Sequence, residues 1–364
     1  MPEPVDNILQ KEFLAREDIL NLLSTGHDES RNIFEKAREI KLKHVGNRVY
    51  FRGLVEFSNY CSKNCYYCGI RSGNKRYQRY ELTDIEVLEA ARFASDNRYA
   101  SMVIQSGERS TKSFVSRIES LLYKIHDQTK GALHITLSLG EQSEETYLRW
   151  FEAGAHRYLL RVEVSNSELY KKLHPSDKRH DHQRRIDALR ILRKTGYQVG
   201  TGVMIGLPFQ TLGDLAGDLL FFRDFDVDMV GMGPYLEHED TPLYKYRDLL
   251  LPQLERFRLS LKMIAILRII MKDINIAATT AMQTIDPQGR EKALMVGANV
   301  IMPNLTPVKY RNDYLLYENK PCIDEDAAAC QTCLETRIRM AGDEIGYGEW
   351  GDSKHFKLRV TSDE

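Results

Sequence analysis

Residues 49–68 read VYFRGLVEFSNYCSKNCYYC, a strand-like run followed at once by three closely spaced cysteines. The β-branched and aromatic residues of the first part predict a buried β-strand. Cys61, Cys65 and Cys68 have the spacing C-x3-C-x2-C. Three thiolates on one short loop can hold three irons of a cubane cluster and leave the fourth iron open to a small molecule. The alternative interpretation is a zinc site completed by a distant ligand.

Strand-like and helical runs alternate along the rest of the chain, which predicts a parallel sheet. Eight such units predict an α/β fold of the (β/α)8 TIM-barrel type. An open doubly wound sheet is the alternative, but no Gly-x-Gly-x-x-Gly turn follows the first strand. The strand-like runs are 49–57, 100–105, 133–139, 157–163, 198–206, 227–233, 275–280 and 299–303. The helical runs lie near 83–97, 112–127, 143–153, 181–195, 211–224, 252–272 and 287–296.

Three domains are expected. An N-terminal helical extension (1–47) carries two helices near 8–24 and 29–43, and the barrel spans 48–304. A C-terminal extension (305–364) has a helix near 331–341 and the second cysteine group, Cys322, Cys330 and Cys333. Clustered cysteines in a reducing compartment are more often metal ligands than disulfides.

The composition excludes some function classes. The chain has 364 residues, 42% hydrophobic and 28% charged, with a formal net charge of −1, which disfavours nucleic-acid binding. The first residues lack the apolar core of a signal peptide. The apolar stretch 259–271 contains two basic residues and is too short to span a bilayer. We therefore expect a cytoplasmic protein with no membrane or nucleic-acid partner.

The motif C-x3-C-x-aromatic-C after a first barrel strand, with Tyr67 as the aromatic residue, resembles the radical S-adenosylmethionine (radical SAM) superfamily. The resemblance implies a [4Fe-4S] cluster whose open iron binds the amino and carboxylate groups of S-adenosylmethionine. One electron from the cluster then splits the sulfonium bond and yields a 5′-deoxyadenosyl radical. The protein orients this chemistry and the cofactors carry it.

Candidate contacts to S-adenosylmethionine lie where barrel strands end, because barrel active sites form there. Glu163 ends the fourth run, where its carboxylate can bind two ribose hydroxyls, and Arg161 points to the same face. That these two charges pair only with each other is the alternative. The resemblance implies three further contacts to S-adenosylmethionine. They are a turn similar to the superfamily's Gly-Gly-Glu element, an arginine that binds the methionine carboxylate, and a strand that packs against adenine. The residues concerned are Gln105, Gly107, Glu108, Ser138, Arg185, Met204 and Leu207.

Seven stretches in the same order and spacing are similar to the HydE family of [FeFe]-hydrogenase maturases. They are 55–59, 104–108, 137–141, 157–161, 228–231, 278–282 and 298–304. The resemblance implies a small iron substrate with carbonyl, cyanide and cysteine ligands, delivered by the maturase HydG, with the product moving toward HydF. A reduced ferredoxin or flavodoxin is the expected electron donor. The candidate substrate contacts are Arg161, Met229, Thr279, Thr280, Met302, Tyr310 and Tyr317.

The second cysteine group matches an auxiliary-cluster element of some HydE-like proteins, which implies a second [2Fe-2S] or [4Fe-4S] cluster. A zinc site or free thiols are the alternatives. We interpret His174, His180 and His182 as solvated residues of a charged loop.

Two other functions remain open. The first is a methylornithine synthase or another biotin-synthase-like radical SAM enzyme that acts on an amino acid. The second, of another class, is a structural zinc protein that scaffolds a partner. Colour separates the classes, since an iron–sulfur protein is brown and a zinc protein is colourless.

Overall fold

The computed structural model describes residues 3–26, 28–324 and 326–363. Its strands are β1 (Arg48–Phe51), β2 (Gly53–Ser58), β3 (Ser101–Ser106), β4 (His134–Ser138), β5 (Ala155–Leu159), β6 (Gln198–Thr201), β7 (Met204–Ile205), β8 (Met229–Pro234), β9 (Asn275–Ala278), β10 (Val300–Ile301) and β11 (Glu344–Ile345). The helices are α1 (Val5–Leu9), α2 (Arg16–Ser24), α3 (Ser30–His44), α4 (Asp84–Asp96), α5 (Lys112–Thr129), α6 (Glu144–Glu152), α7 (Ser167–Leu173), α8 (His182–Thr195), α9 (Leu212–Phe225), α10 (Gln253–Ile270), α11 (Thr280–Ile285), α12 (Gly289–Met295), α13 (Val308–Arg311), α14 (Ala327–Met340) and α15 (Lys354–Asp363), with a 3-10 helix at Pro242–Leu249.

The sheet is parallel and closes on itself. Its order is β11-β1-β10-β9-β8-β6-β5-β4-β3-β2, with β7 paired to β8. Only Arg52 separates β1 from β2, so one stretch pairs with β10 on one side and with β3 on the other. The bridge between Leu54 and Asn304 continues the pairing with β10 toward the carboxyl ends of the strands. Counting β1 with β2 and β6 with β7, eight strands form the barrel, which confirms the predicted fold class.

All eight predicted strand-like runs coincide with barrel strands. A capping box opens α4, because the Thr83 hydroxyl accepts from the Glu86 N–H at 3.2 Å and the Glu86 carboxylate accepts from the Thr83 N–H at 2.8 Å. The helix expected near 8–24 is two helices, α1 and α2. The short helices α7, α11 and α13, the 3-10 helix and α15 were not predicted. Each is short or lacks a long apolar stripe, so periodicity gives little signal.

Helix α10 contains most of the apolar stretch noted in the sequence. It is buried nearly all round because it lies between the barrel strand β8 and the N-terminal helices α2 and α3. Its basic residue Arg268 is buried and donates to the carbonyls of Gly297 and Ile274 at 3.0 and 2.9 Å. Within the described residues, no helix has both the length and the apolar character needed to cross a bilayer.

A C-terminal stretch around Gly351 fills the amino-terminal end of the barrel. The Gly351 carbonyl accepts from the Arg52 guanidinium at 3.0 Å and from the Asn275 amide at 2.9 Å. Arg157, also buried, forms an ion pair of 2.8 Å with Asp352. Buried charges of this kind need partners, and the C-terminal stretch supplies them. The floor of the barrel is therefore built by the C-terminal extension. The division into three domains stays a prediction.

Candidate functional site

A cavity of about 340 Å³ opens at the carboxyl ends of the barrel strands, the end where barrel enzymes place their active sites. Residues from the cysteine loop, from several barrel strands and from the C-terminal extension line it. The predicted site residues that line it are Cys61, Cys65, Cys68, Tyr67, Gln105, Gly107, Glu108, Ser138, Arg161, Glu163, Arg185, Met204, Thr279, Thr280, Met302, Tyr317 and Cys322.

The three cysteines lie on the loop that follows β2. Cys65 is buried and the other two are partly buried, and all three line the cavity. Burial raises the pKa of each thiol, that of Cys65 to about 12. Thiols bind metal as thiolates, so ligation here would release protons. The Cys61 sulfur also accepts a hydrogen bond from the Glu108 N–H at 3.3 Å, as cluster-ligating sulfurs commonly do.

The turn after β3 approaches this loop closely. A Cβ on Gly107 would lie 2.4 Å from the Tyr60 carbonyl oxygen and 2.7 Å from the Cβ of Cys61. Only glycine fits so close to another backbone segment. The donor set and this close approach fit a cluster held at the mouth of the barrel.

A buried charge network lies beside the cysteine loop. Lys63, in the loop itself, is 3.2 Å from the Glu108 carboxylate and 3.1 Å from that of Glu141. Arg185 lies 2.9 Å from Glu141 and 3.7 Å from Glu108. Burial opposes the charge of Arg185, but the two carboxylates outweigh it and raise its pKa. Exposed Arg184 also lies 3.2 Å from Glu141, so three cations face two anions and positive charge is available to a ligand carboxylate.

Arg161 and Glu163 form a second charged pair in the cavity wall. The guanidinium contacts the carboxylate at 2.9–3.1 Å and donates to the Val203 carbonyl at 2.9 Å. Burial opposes the charge of Arg161, whereas Glu163 raises its pKa. Glu163 has a φ of 67°, an uncommon value for a residue with a side chain. The two residues do pair with each other, and both face the cavity.

The cavity lining also contains charged residues that the sequence reasoning missed. Glu56, at the end of β2, forms a buried ion pair with Lys320 of the C-terminal extension. Buried Arg290 has a guanidinium nitrogen 3.7 Å from the Cys322 sulfur. The Thr280 and Tyr317 hydroxyls are 2.9 Å apart. Glu56 could have been found as a strand-end residue, but no local pattern identifies Lys320 or Arg290.

Three predicted contacts do not line the cavity, and their placement there was wrong. Leu207 is buried in a small apolar cluster behind the wall. Met229 begins β8, below the cavity, and its sulfur accepts from Arg52 at 2.9 Å. Tyr310 lies stacked on Tyr80, and its hydroxyl donates to a Glu86 carboxylate oxygen at 3.1 Å. Met229 lies away from the cavity because it is at the amino end of its strand.

The interpretation of the charged-loop histidines as solvated was wrong for two of them. His174 and His180 are buried against the cysteine loop. The Tyr67 hydroxyl lies 3.2 Å from His174 Nε2, and the Asn64 N–H donates to His180 Nε2 at 2.9 Å. Burial lowers the pKa of His174 to about 3. His174 therefore supports the loop as a neutral ring, and His180 supports it by accepting from Asn64.

The second cysteine group is only partly described. Cys322 lines the cavity, whereas Cys333 is exposed on α14. The side chain of Cys330 lies outside the described residues. Among the described residues, no three His, Cys, Asp or Glu side chains are arranged to hold one metal ion. A mononuclear zinc site needs such an arrangement, whereas a cubane places each thiolate on a different iron.

Comparison with known proteins defines the class first. Residues 55–222 match the model of the radical SAM superfamily. The solved structure of methylornithine synthase has a TM-score of 0.79 at 23% identity, covering 98% of this chain and 99% of that one. The solved structure of the hydrogenase maturase HydG has a TM-score of 0.79 at 21% identity, covering 98% and 79%. These two likenesses establish the barrel fold.

Sequence relatives then give the family. The chain is 42% identical to the [FeFe] hydrogenase maturase subunit HydE of Thermotoga maritima over 97% of both proteins. It is 28% identical to 3-methylornithine synthase of Methanosarcina barkeri over 83% of both. The chain belongs to the HydE family of radical SAM enzymes. Membership in the superfamily implies a [4Fe-4S] cluster and S-adenosylmethionine as cofactors.

Proposed function

We propose that this enzyme matures the active site of [FeFe]-hydrogenase by reductive cleavage of S-adenosylmethionine. The observation that carries the proposal is the 42% identity to a HydE protein over nearly the whole chain. The three cysteines at the mouth of a closed barrel support it, because they provide a cluster site beside an enclosed cavity.

In this proposal Cys61, Cys65 and Cys68 hold the [4Fe-4S] cluster. A bound cluster would supply the electron that splits S-adenosylmethionine into methionine and a 5′-deoxyadenosyl radical. The barrel's contribution is to hold the two reactants together and to exclude water, which protects a reactive radical. The buried position of Cys65 and the buried histidines behind the loop support that role.

The remaining contacts to S-adenosylmethionine are assigned by chemistry. Glu163 would accept from the ribose hydroxyls, and Arg185 would bind the methionine carboxylate. The carbonyls of the turn around Gly107 and Glu108 would accept from the ammonium. Apolar and aromatic side chains would contact the remainder of the ligand. The other proposed contacts are Tyr67, Gln105, Ser138 and Met204.

The proposed substrate is an iron complex with carbonyl, cyanide and cysteine ligands. Such an anion needs cations and hydrogen-bond donors in a cavity closed to water. Arg161 and Arg290 supply positive charge, and the hydroxyls of Thr279, Thr280 and Tyr317 supply donors. Met302 adds a polarisable surface. HydG as the source of this substrate, HydF as the acceptor of the product, and a cytoplasmic location belong to the same proposal.

A second cluster on Cys322, Cys330 and Cys333 is also proposed, as [2Fe-2S] or [4Fe-4S]. The support is the grouping of three cysteines in one short segment. Iron and sulfide analysis of protein with all three replaced by serine tests it. The variant should lack the iron and sulfide of one cluster and should still cleave S-adenosylmethionine.

The central test is formation of 5′-deoxyadenosine by anaerobic, dithionite-reduced protein. Cys65→Ala is expected to abolish it, because one cluster ligand is lost. Cys333→Ser, which changes an exposed cysteine, is the matched control and is expected to retain it. Normal cleavage by the Cys65→Ala variant would contradict the proposal.

Methylornithine synthesis is the second candidate, favoured by 28% identity over 83% of the chain. Incubation with lysine separates the two functions. We expect no isomerised amino acid from lysine, and turnover only with the iron complex made by HydG. Methylornithine formation would favour the alternative.

A further inference from the structure

We propose that a small acidic iron–sulfur carrier protein docks on a basic surface directly outside the cysteine loop. This surface, the basic shoulder, is formed by residues 71–79 and 174–184. The inference rests on the proposed function, because S-adenosylmethionine cleavage needs an electron from outside the chain. It adds where that electron enters and what kind of partner brings it.

The basic shoulder lies against the cysteine loop. The Ser72 N–H donates to the Lys63 carbonyl at 2.8 Å, and the Arg179 guanidinium donates to the Ser62 carbonyl at 3.2 Å. Ser62 is exposed although it follows the ligand Cys61 directly. The loop is therefore covered thinly here, and a protein seated on the shoulder would touch backbone next to a cluster ligand.

The charge of the basic shoulder departs strongly from that of the whole chain. The chain is balanced, with 51 Lys and Arg against 52 Asp and Glu. Residues 71–79 hold four cations and no acid, and residues 174–184 hold three cations and two acids. The sum is seven cations against two anions. The residues are Arg71, Lys75, Arg76, Arg79, Lys178, Arg179 and Arg184, with Asp177 and Asp181.

Not all of these cations are available to a partner. Arg76 is paired with Glu239 and Asp240, and Arg184 lies 3.2 Å from Glu141. Arg79 donates only to backbone carbonyls. Arg71 is partly buried and donates to the Asn64 side-chain oxygen at 2.8 Å and to the Asp240 carbonyl at 3.3 Å.

Lys75, Lys178 and Arg179 are the available cations. They are exposed, and within the described part of the chain none of them forms an ion pair with a carboxylate. Lys75 donates only to the Ser72 carbonyl, at 3.1 Å. These three cations can therefore attract an acidic protein without losing an internal pair.

The partner's chemistry follows from the charge and from the task. It must be acidic, small enough to approach one face of the barrel mouth, and able to release one electron at low potential. Iron–sulfur carriers reach reduction potentials down to about −700 mV, which suits such a donor. In the transfer the carrier is oxidised by one electron and the enzyme is reduced by one electron. No proton, bond or leaving group is involved.

The test compares two charge-reversal variants of the holoenzyme. The triple variant is Lys75→Glu/Lys178→Glu/Arg179→Glu. The double variant, Lys75→Glu/Lys178→Glu, keeps the contact of Arg179 with the cysteine loop. The control, Arg31→Glu/Arg190→Glu/Lys194→Glu, changes the same charge at exposed helix positions outside the shoulder. Binding of an oxidised bacterial ferredoxin is measured by biolayer interferometry from 20 to 300 mM salt. Cleavage of S-adenosylmethionine is measured with reduced ferredoxin and, separately, with dithionite.

Both shoulder variants are expected to bind ferredoxin at least tenfold more weakly at low salt, with a flatter salt dependence than the control. Their ferredoxin-driven cleavage should fall in parallel, while dithionite-driven cleavage stays within about twofold. Binding equal to that of the control would overturn the inference, as would a loss seen with flavodoxin but not with ferredoxin. Failure of dithionite-driven cleavage in the unmodified enzyme would instead refute the proposed function.

Discussion

Replacing Lys320 by methionine should destabilise the enzyme through Glu56. Their side chains are 7% and 2% exposed, so the change leaves a buried carboxylate without its cation. Breaking such a pair costs about 3–5 kcal/mol. At roughly 2 °C per kcal/mol for a chain of this size, Tm should fall by about 6–10 °C. Differential scanning calorimetry of the apoprotein at pH 7 measures the shift.

The double variant Lys320→Met/Glu56→Gln removes both charges and keeps the volume. It should regain most of the lost stability, because the penalty belongs to the unpaired carboxylate. Lys194→Met is the matched control, since Lys194 and Glu144 form a pair with 76% and 55% exposed side chains. Exposed pairs contribute about 0–1 kcal/mol. If Lys320→Met cost no more than Lys194→Met, the reasoning would be refuted.

Three further predictions concern the cluster site, the cosubstrate and the C-terminal helix. Gly107→Ala should lower the iron and sulfide content after reconstitution, since its Cβ would meet the Tyr60 carbonyl at 2.4 Å, whereas Gly26→Ala, with open space, should not. Glu163→Gln should weaken S-adenosylmethionine binding about tenfold in calorimetric titration through loss of a charged acceptor; unchanged affinity would remove Glu163 from that role. Hydrogen bonding to Asp273 and Asp226 raises the pKa of His355 to about 9 from 6.5. Its stabilisation, at most about 3 kcal/mol, is therefore complete below pH 6.5 and lost by about pH 9. The Tm deficit of His355→Gln should shrink over that range, and a constant deficit would contradict this.

The barrel could be predicted because each strand-like run is short, apolar and separated from the next by a helical run. The number of units favoured a closed barrel over an open doubly wound sheet, and the missing Gly-x-Gly-x-x-Gly turn agreed with it. Cys61, Cys65 and Cys68 were equally accessible, since all three ligands lie within eight residues and their spacing carries the chemistry. Glu163 and Arg161 followed from their position at the end of a strand.

Other parts of the site depend on contacts between distant segments. Lys320 and Glu56 are 264 residues apart in the sequence, and no local pattern at either residue indicates that they pair. His174 and His180 lie in a polar stretch, so composition suggested exposure, but the cysteine loop covers them. Met229 was misplaced because a strand's register, rather than its composition, decides which end a residue occupies. Local patterns thus predict the scaffold and the ligand loop, and long-range packing decides the rest of the cavity.

The floor built around Gly351 bears on how the chain is synthesised. Arg52 emerges from the ribosome about three hundred residues before the carbonyl that it binds. Until residues 351–352 are synthesised, Arg52 lacks its carbonyl acceptor and Arg157 lacks Asp352. Until β10 is synthesised, β1 lacks its partner strand. Closure of the barrel must therefore wait until β10 and the stretch around Gly351 have been synthesised. During that interval the unpaired strand edges can aggregate. Slow release of the chain from the ribosome, or binding of a chaperone to it, would therefore favour a higher yield of soluble protein.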